Sequence, residues 1–415
     1  MTETSPRLSR QELFFLTLLG LGVTGTVFGQ LGSTSAALRA GGENGSVFTG
    51  LFLSIFLLAS ALSAPWAGAL AARLGDRQAF AHVLLATALA WAVLGLFVTA
   101  LPSDIVPLLA AAPILGALSG IGLVLGTVAA PGYLGGMQVA AAVARRSVSA
   151  GIAGAVGGII GGRIIDQSDA GLGIILNGLL TLPLALFIYR EKPQAQGLAP
   201  EKQQRHSLKA AWADVRSSWL LLRTVALGVM VALFLAPMVS MIVPITNDLE
   251  HDSVATAAGT VLAGMAIGRM FVPWITDRLS VGRSHLATAL ICYGSIAALM
   301  VLFAATTWVV AASAQLLLWG IIGVGFGAAR YSGRAMCFGV SATSLGKGHG
   351  RAGVVALVAI GGLTAPIGTL LWGILIQHLS AAITILFGAV GILLVVGWIA
   401  LELRARPKPS TADAT

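Results

Sequence analysis

Charge is scarce in this 415-residue sequence: 10% of its residues are charged and 57% are hydrophobic, whereas a soluble domain carries roughly a quarter charged residues. That scarcity excludes a water-soluble fold of this size, whose surface could not stay hydrated. Cysteine is scarcer still. Cys292 and Cys337 are the only two, both fall inside long apolar runs, and neither they nor the six histidines show metal-ligand spacing. No disulfide framework, metal centre or resident cofactor is expected.

The most informative absence is a carboxylate deep within an apolar run. All 16 acidic residues can be placed outside the hydrocarbon: Glu43, Asp104, Asp166, Asp169, Asp248, Glu250 and Asp252 on one side, the rest in or beside loops and termini on the other. Proton coupling through a buried carboxylate, and capture of a cationic drug by a buried negative charge, both need what is missing here. A histidine relay is missing too, because His82, His206, His251, His285, His349 and His378 sit in loops or near the ends of apolar runs.

Long apolar runs are what the chain has. At roughly 20 apolar residues per crossing there is room for about twelve. Read against charged and turn-forming breaks, they fall at 13–37, 47–71, 80–101, 106–138, 148–165 and 171–189, then at 219–245, 253–276, 285–305, 307–341, 352–378 and 381–403. The first run follows Arg7 and Arg10 as a secretory leader would, but it is too long for one and many more spans follow it. The expected fold is an all-α polytopic membrane protein, with bundles at 1–189 and 218–404, a linker at 190–217 and a tail at 405–415.

An even number of spans puts both termini on one side. Of the 25 Lys and Arg, Arg39 and Arg163 fall on the opposite side and Arg269, Arg330 and Arg334 within spans; the other 20 fall on the terminus side. Because basic residues stay on the cytoplasmic face, both termini are expected in the cytoplasm and the protein in the inner membrane. The net charge of +9 is then an insertion signal rather than a nucleic-acid footprint. The linker, with Lys192, Pro193, Pro200, Lys202, Arg205 and Lys209, reads as a connection lying against anionic headgroups.

The two halves repeat at a shift of just over two hundred residues. Gly75-Asp76-Arg77 follows span 2 and Thr276-Asp277-Arg278 follows span 8; span 4 carries Gly120-Ile121-Gly122 and span 10 carries Gly323-Val324-Gly325; Arg146 and Arg351 stand before spans 5 and 11. With these residues the sequence resembles the major facilitator superfamily from span 1 to span 12. Asp277-Arg278 with Gly282-Arg283 resemble that family's loop motif, and Asp76-Arg77 its first copy, where Ala72, Ala79 and Phe80 depart from the pattern. Gly157 to Gly162 resemble its glycine-rich motif, with Gly158 in place of the proline. Ala144-Arg145-Arg146-Ser147, leading into Ala150 to Gly154, is similar to carboxylate carriers of the family. The resemblance implies twelve transmembrane helices in two pseudo-symmetric six-helix bundles working by alternating access, with spans 1, 4 and 10 bordering a central cavity.

An Asp-Arg pair at a membrane surface can pair locally or present its carboxylate to a helix N-terminus. Two copies in equivalent loops make Asp76, Arg77, Asp277 and Arg278 candidate gating residues. Arg330 lies near the middle of span 10 and needs a wet cavity or a partner. With no deep carboxylate to neutralise it, its planar fork of donors suits an anionic substrate. Arg269 serves equally well as a second anion contact or as a brace for the Asp277 turn, and Arg334 reads as snorkelling toward the cytoplasm. Gln30 on span 1 and Thr127 on span 4 are polar residues on cavity-bordering spans; Gln30 joins Arg330 and Arg269 as a substrate-binding candidate.

These readings converge on a monomeric secondary transporter of a small organic anion. Broad-specificity efflux of apolar compounds is the second reading. An embedded enzyme is the third, its one dense polar cluster being Asn247-Asp248-Leu249-Glu250-His251-Asp252, a solvated outer loop rather than a catalytic set.

Overall fold

The computed structural model describes residues 9–134, 139–192, 215–216, 218–249, 253–309, 312–343 and 350–405. Helices are its only regular elements among the described residues. α1 (Arg10–Ala40) opens on a capping box, with the Ser9 hydroxyl accepting from the Glu12 N–H at 3.2 Å and the Ser9 N–H donating to the Glu12 carboxylate at 2.8 Å. α2 (Gly45–Ser63) breaks at Pro65, which has no N–H to offer, and resumes as Trp66–Leu74. α3 (Asp76–Ala100), α4 (Val106–Tyr133), α5 (Val139–Gln167) and α6 (Ala170–Arg190) complete the first half.

The second half is less regular. α7 runs from Trp219–Met230 through a π-helical turn at Val231–Leu235, then Ala236–Ser240 and Ile242–Asp248. α8 bends by 54° between Val254–Met270 and Val272–Ser280. α9 (His285–Val309), α10 (Ala312–Thr343), α11 (Gly350–Leu379) and α12 (Ala381–Ala405) follow. Among the described residues ten spans are long and apolar enough to cross a membrane and bent α8 makes eleven. The twelfth is α10, 32 residues long and carrying Arg330 and Arg334. α5 begins earlier than its apolar run, at Val139, so Arg146 lies two turns inside a helix rather than in a loop.

Within the first half α1 packs on α5 and α6, α3 on α4 and α6, and α2 on α4; within the second, α8 packs on α10 and α9 on α10 and α12. Adding six to each label carries the pairs α2–α4, α3–α4 and α3–α6 onto α8–α10, α9–α10 and α9–α12. The same shift relates the two seams between the halves, α2–α11 and α5–α8. This is the pseudo-twofold expected of a duplicated six-helix unit.

Backbone contact sets the α5–α8 seam. A Cβ added at Gly158 would run into the Gly259 carbonyl, and one at Gly259 into the Gly158 carbonyl. In lipid, where apolar side chains gain little by leaving one another's company, such close approach is a main source of helix attraction. The largest buried side chains include Trp319 and Trp372, and Trp319 Nε1 donates to Thr306 Oγ1 at 2.9 Å. Cys292 and Cys337 are buried and form no disulfide, which fits their reading as packing residues. Leu317, Leu394 and Leu401 stand exposed, as a lipid-facing surface requires.

We call the end of the molecule that carries Arg10 and Ala405 proximal and the other end distal. Two arginines fasten helices at the proximal end. Arg77 Nη1 donates to the Tyr189 carbonyl at 3.1 Å, at the C-terminus of α6. Arg223 on α7 meets Glu402 on α12 with a fork of 2.7 and 3.0 Å bonds while its guanidinium lies 4.3 Å from the Trp398 ring centre.

Candidate functional site

Arg269 on α8 and Arg330 on α10 come together around one aromatic ring. The Arg269 guanidinium carbon lies 4.9 Å and that of Arg330 5.8 Å from the centre of the Tyr331 ring. Both arginines are half-buried. Arg269 Nη2 also donates to Ser147 Oγ on α5 at 3.1 Å, across the seam. Its described partners are therefore Ser147 and Tyr331, not Asp277, so the bracing role expected as an alternative is not seen.

A third arginine joins this group that the sequence marked as a landmark before span 5 but not as a substrate-binding candidate. Arg146, one residue before Ser147, donates Nη1 to the Gly126 carbonyl of α4 at 3.0 Å, and its charge repels that of Arg269. Arg334 repels both Arg330 and Arg269. It is exposed, with its guanidinium 5.2 Å from the Phe338 ring centre one turn closer to the proximal end, the posture of a snorkelling side chain.

Among the described residues no carboxylate forms an ion pair with any of the four. The ion pairs among the described residues are Arg39–Asp169 and Arg223–Glu402. Like charges held close together in a half-buried site repel one another, so an uncompensated cluster carries a standing cost that an oxyanion would remove. Guanidinium forks are well matched to such a group. No cluster of three metal-ligating residues occurs among the described residues.

The remaining candidates are dispersed. Gln30 Nε2 donates to the Val239 carbonyl of α7 at 3.3 Å, joining the halves on the distal side of the arginines. Thr127 gives its hydroxyl to Leu123 of its own helix at 2.8 Å. Asp76 and Asp277 are exposed and neither forms an ion pair; Arg278 lies with its guanidinium 5.8 Å from the Trp274 ring centre. The acidic loop between α7 and α8 is partly outside the described residues, at Glu250, His251 and Asp252. Its described carboxylate, Asp248, accepts from the Ala381 N–H at 2.6 Å and so caps α12. Linker residues 193–214 also lie outside the described residues.

The distal side is held shut between the halves. Asp166 at the end of α5 accepts from the N–H groups of Ala255 and Thr256, at the start of α8. Gln377 on α11 donates to the Glu43 carbonyl, and nearer the middle Ser54 Oγ donates to the Pro366 carbonyl at 2.7 Å. A cavity of about 230 Å³ remains beside Asp166, lined by Ser35, Arg39 and Asn247 among others.

No curated protein sequence matches this chain. Solved structures do. The human organic anion transporter MFSD10 (TETRAN) superposes with a TM-score of 0.65 at 19% identity, over 95% of this chain and 99% of its own. The nucleoside transporter NupG gives 0.68 at 12% identity over 96% and 100%, and the D-xylose-proton symporter 0.64 at 14% over 93% and 96%. At these identities the likeness is one of fold. The sequence pattern of the Major Facilitator Superfamily matches residues 13–352, most of the chain and both halves of the repeat, and the chain belongs to that superfamily.

Proposed function

We propose that this protein is a secondary transporter that moves a small organic anion across the inner membrane by alternating access, as a monomer, with its proximal side in the cytoplasm. The observation that carries the reading is the convergence of Arg269 and Arg330 on Tyr331 with no acidic partner among the described residues. Half-buried guanidinium groups with unspent donors stabilise an oxyanion more than any neutral solute. The likeness to an organic anion transporter points the same way. The orientation rests on the basic-residue bias of the loops.

In this reading Arg330 and Arg269 anchor the substrate. Gln30, which bridges to α7, closes the site on its distal side. Asp277 with Arg278, and Asp76 with Arg77, act on closure of the proximal side. The deciding experiment uses purified protein in liposomes, scored for accumulation of unchanged radiolabelled carboxylates and, separately, of apolar dyes. Accumulation of carboxylates supports the proposal. Accumulation of dyes alone replaces it with apolar efflux, and chemical conversion of the solute replaces transport with catalysis.

A further inference from the structure

Four arginines supply more positive charge than one carboxylate neutralises. Arg146 spends one N–H on the Gly126 carbonyl and Arg269 one on Ser147; Arg330 and Arg334 make no hydrogen bond among the described residues. Most of the donors are therefore unused. Their placement is also asymmetric. Arg269 and Arg330 come from the second half and share the Tyr331 ring. Arg146 comes from the first half, where the Gly126 carbonyl holds its guanidinium against α4.

As a helix fastener alone, Arg146 is poorly sited. It faces the repulsion of Arg269 across a seam of tightly packed backbone, and a neutral donor would bond the Gly126 carbonyl without that cost. The cost is offset when one negative group lies beside Arg146 and a second beside Arg269 and Arg330 on the Tyr331 side.

We infer that the substrate carries two separate anionic groups, as a dicarboxylate does, one held by Arg330 and Arg269 beside Tyr331 and the other by Arg146 of the first half. The inference rests on the anion reading above. Arg146 is on this account a substrate-binding residue that sets specificity for charge number, and one ligand ties α5 to α10.

The test is thermal stabilisation of the full-length purified protein at constant ionic strength, with chloride as the background anion. The probes are butanoate, methyl phosphate and the dicarboxylates from butanedioate to hexanedioate. At least one dicarboxylate is expected to give half-maximal stabilisation at a concentration ten-fold or more below that of butanoate. Arg146→Gln keeps an N–H for the Gly126 carbonyl and is expected to abolish that advantage, so that dicarboxylates and butanoate act at similar concentrations; Arg146→Lys, which keeps the charge, is expected to retain part of it.

Equal response to butanoate and every dicarboxylate overturns the two-group inference and leaves the anion reading standing. Methyl phosphate matching the best dicarboxylate also overturns it, because total charge would then suffice. No response to any organic anion above chloride overturns both. Loss of the butanoate response in a folded Arg146→Gln protein places Arg146 at the same group as Arg330 and overturns the assignment of separate anchors.

Discussion

Asp166 and Thr256 meet across the two halves: the Asp166 Oδ2 accepts from the Thr256 N–H at 2.7 Å, and Oδ1 accepts from the neighbouring Ala255 N–H at 3.0 Å. A carboxylate on the first turn of α8 satisfies amide donors that no helical carbonyl can reach and opposes the positive end of the helix dipole. It is the arrangement the Asp-Arg loops suggested for the proximal face, found instead on the distal one.

Asp166→Asn should loosen that closure. A hydrogen bond to a charged group contributes about 1.5–3 kcal/mol, so the distal-open population is expected to rise about ten-fold or more. The readout is the labelling rate of Ser35→Cys, beside the same cavity, by an impermeant thiol reagent added from the distal side, in a background with Cys292 and Cys337 replaced by Ala. An unchanged rate would mean that Asp166 merely caps α8.

Orientation is tested at two positions. Ser168 is exposed at the distal end of α5, and Ser168→Cys should react with an impermeant reagent applied to intact cells, whereas Gln203→Cys in the linker should react only after the membrane is opened. Reversed labelling would invert the topology.

Asp277 is exposed and its carboxylate engages no donor among the described residues, in a form whose distal side is shut. A residue that acts on closure of the other side should influence the conformational step. Asp277→Asn is therefore expected to slow transport several-fold while changing substrate affinity little. Transport at the normal rate would remove it from the gate.

In the proposed function Arg330 carries the greatest weight for binding. Arg330→Lys keeps the charge and loses the planar fork, so affinity should fall by ten-fold or more. Arg330→Ala should abolish binding yet leave inserted, folded protein, since no protein carboxylate is stranded by its removal. A variant that fails to insert would make Arg330 a structural residue, and one that binds normally would end the anion hypothesis.

The spans were legible because each is a run of apolar residues longer than any soluble core helix needs, and Arg330 and Arg269 stood out because a charge inside such a run is conspicuous. Arg146, named as a landmark before span 5, escaped as a site candidate for the opposite reason. The alanine-rich stretch before it is only weakly apolar, so hydropathy put the start of the span at 148, whereas the helix begins at Val139 and carries Arg146 into the protein. Ser147 and Asp166 are ordinary polar residues in sequence, and only their partners on α8 mark them. The π-helical turn of α7 at Val231–Leu235 leaves no trace in an unbroken apolar run.

The 54° bend of α8 makes that helix a crank. Its short arm, Val272–Ser280, carries Asp277 and Arg278, and Arg269 sits in the last turn of the long arm, two residues from the elbow at Phe271. An arm of nine residues is about 13 Å long at about 1.5 Å per residue, so a swing of about 10° moves its tip by roughly 2 Å. If the elbow is stiff, torque applied at the Asp277 end turns the Arg269 end as well, and the proximal surface has a direct mechanical grip on the guanidinium beside Tyr331. If it is a free joint, the two ends move independently, and substitutions that stiffen or loosen the elbow become a means of setting how strongly the proximal surface is geared to the guanidinium beside Tyr331.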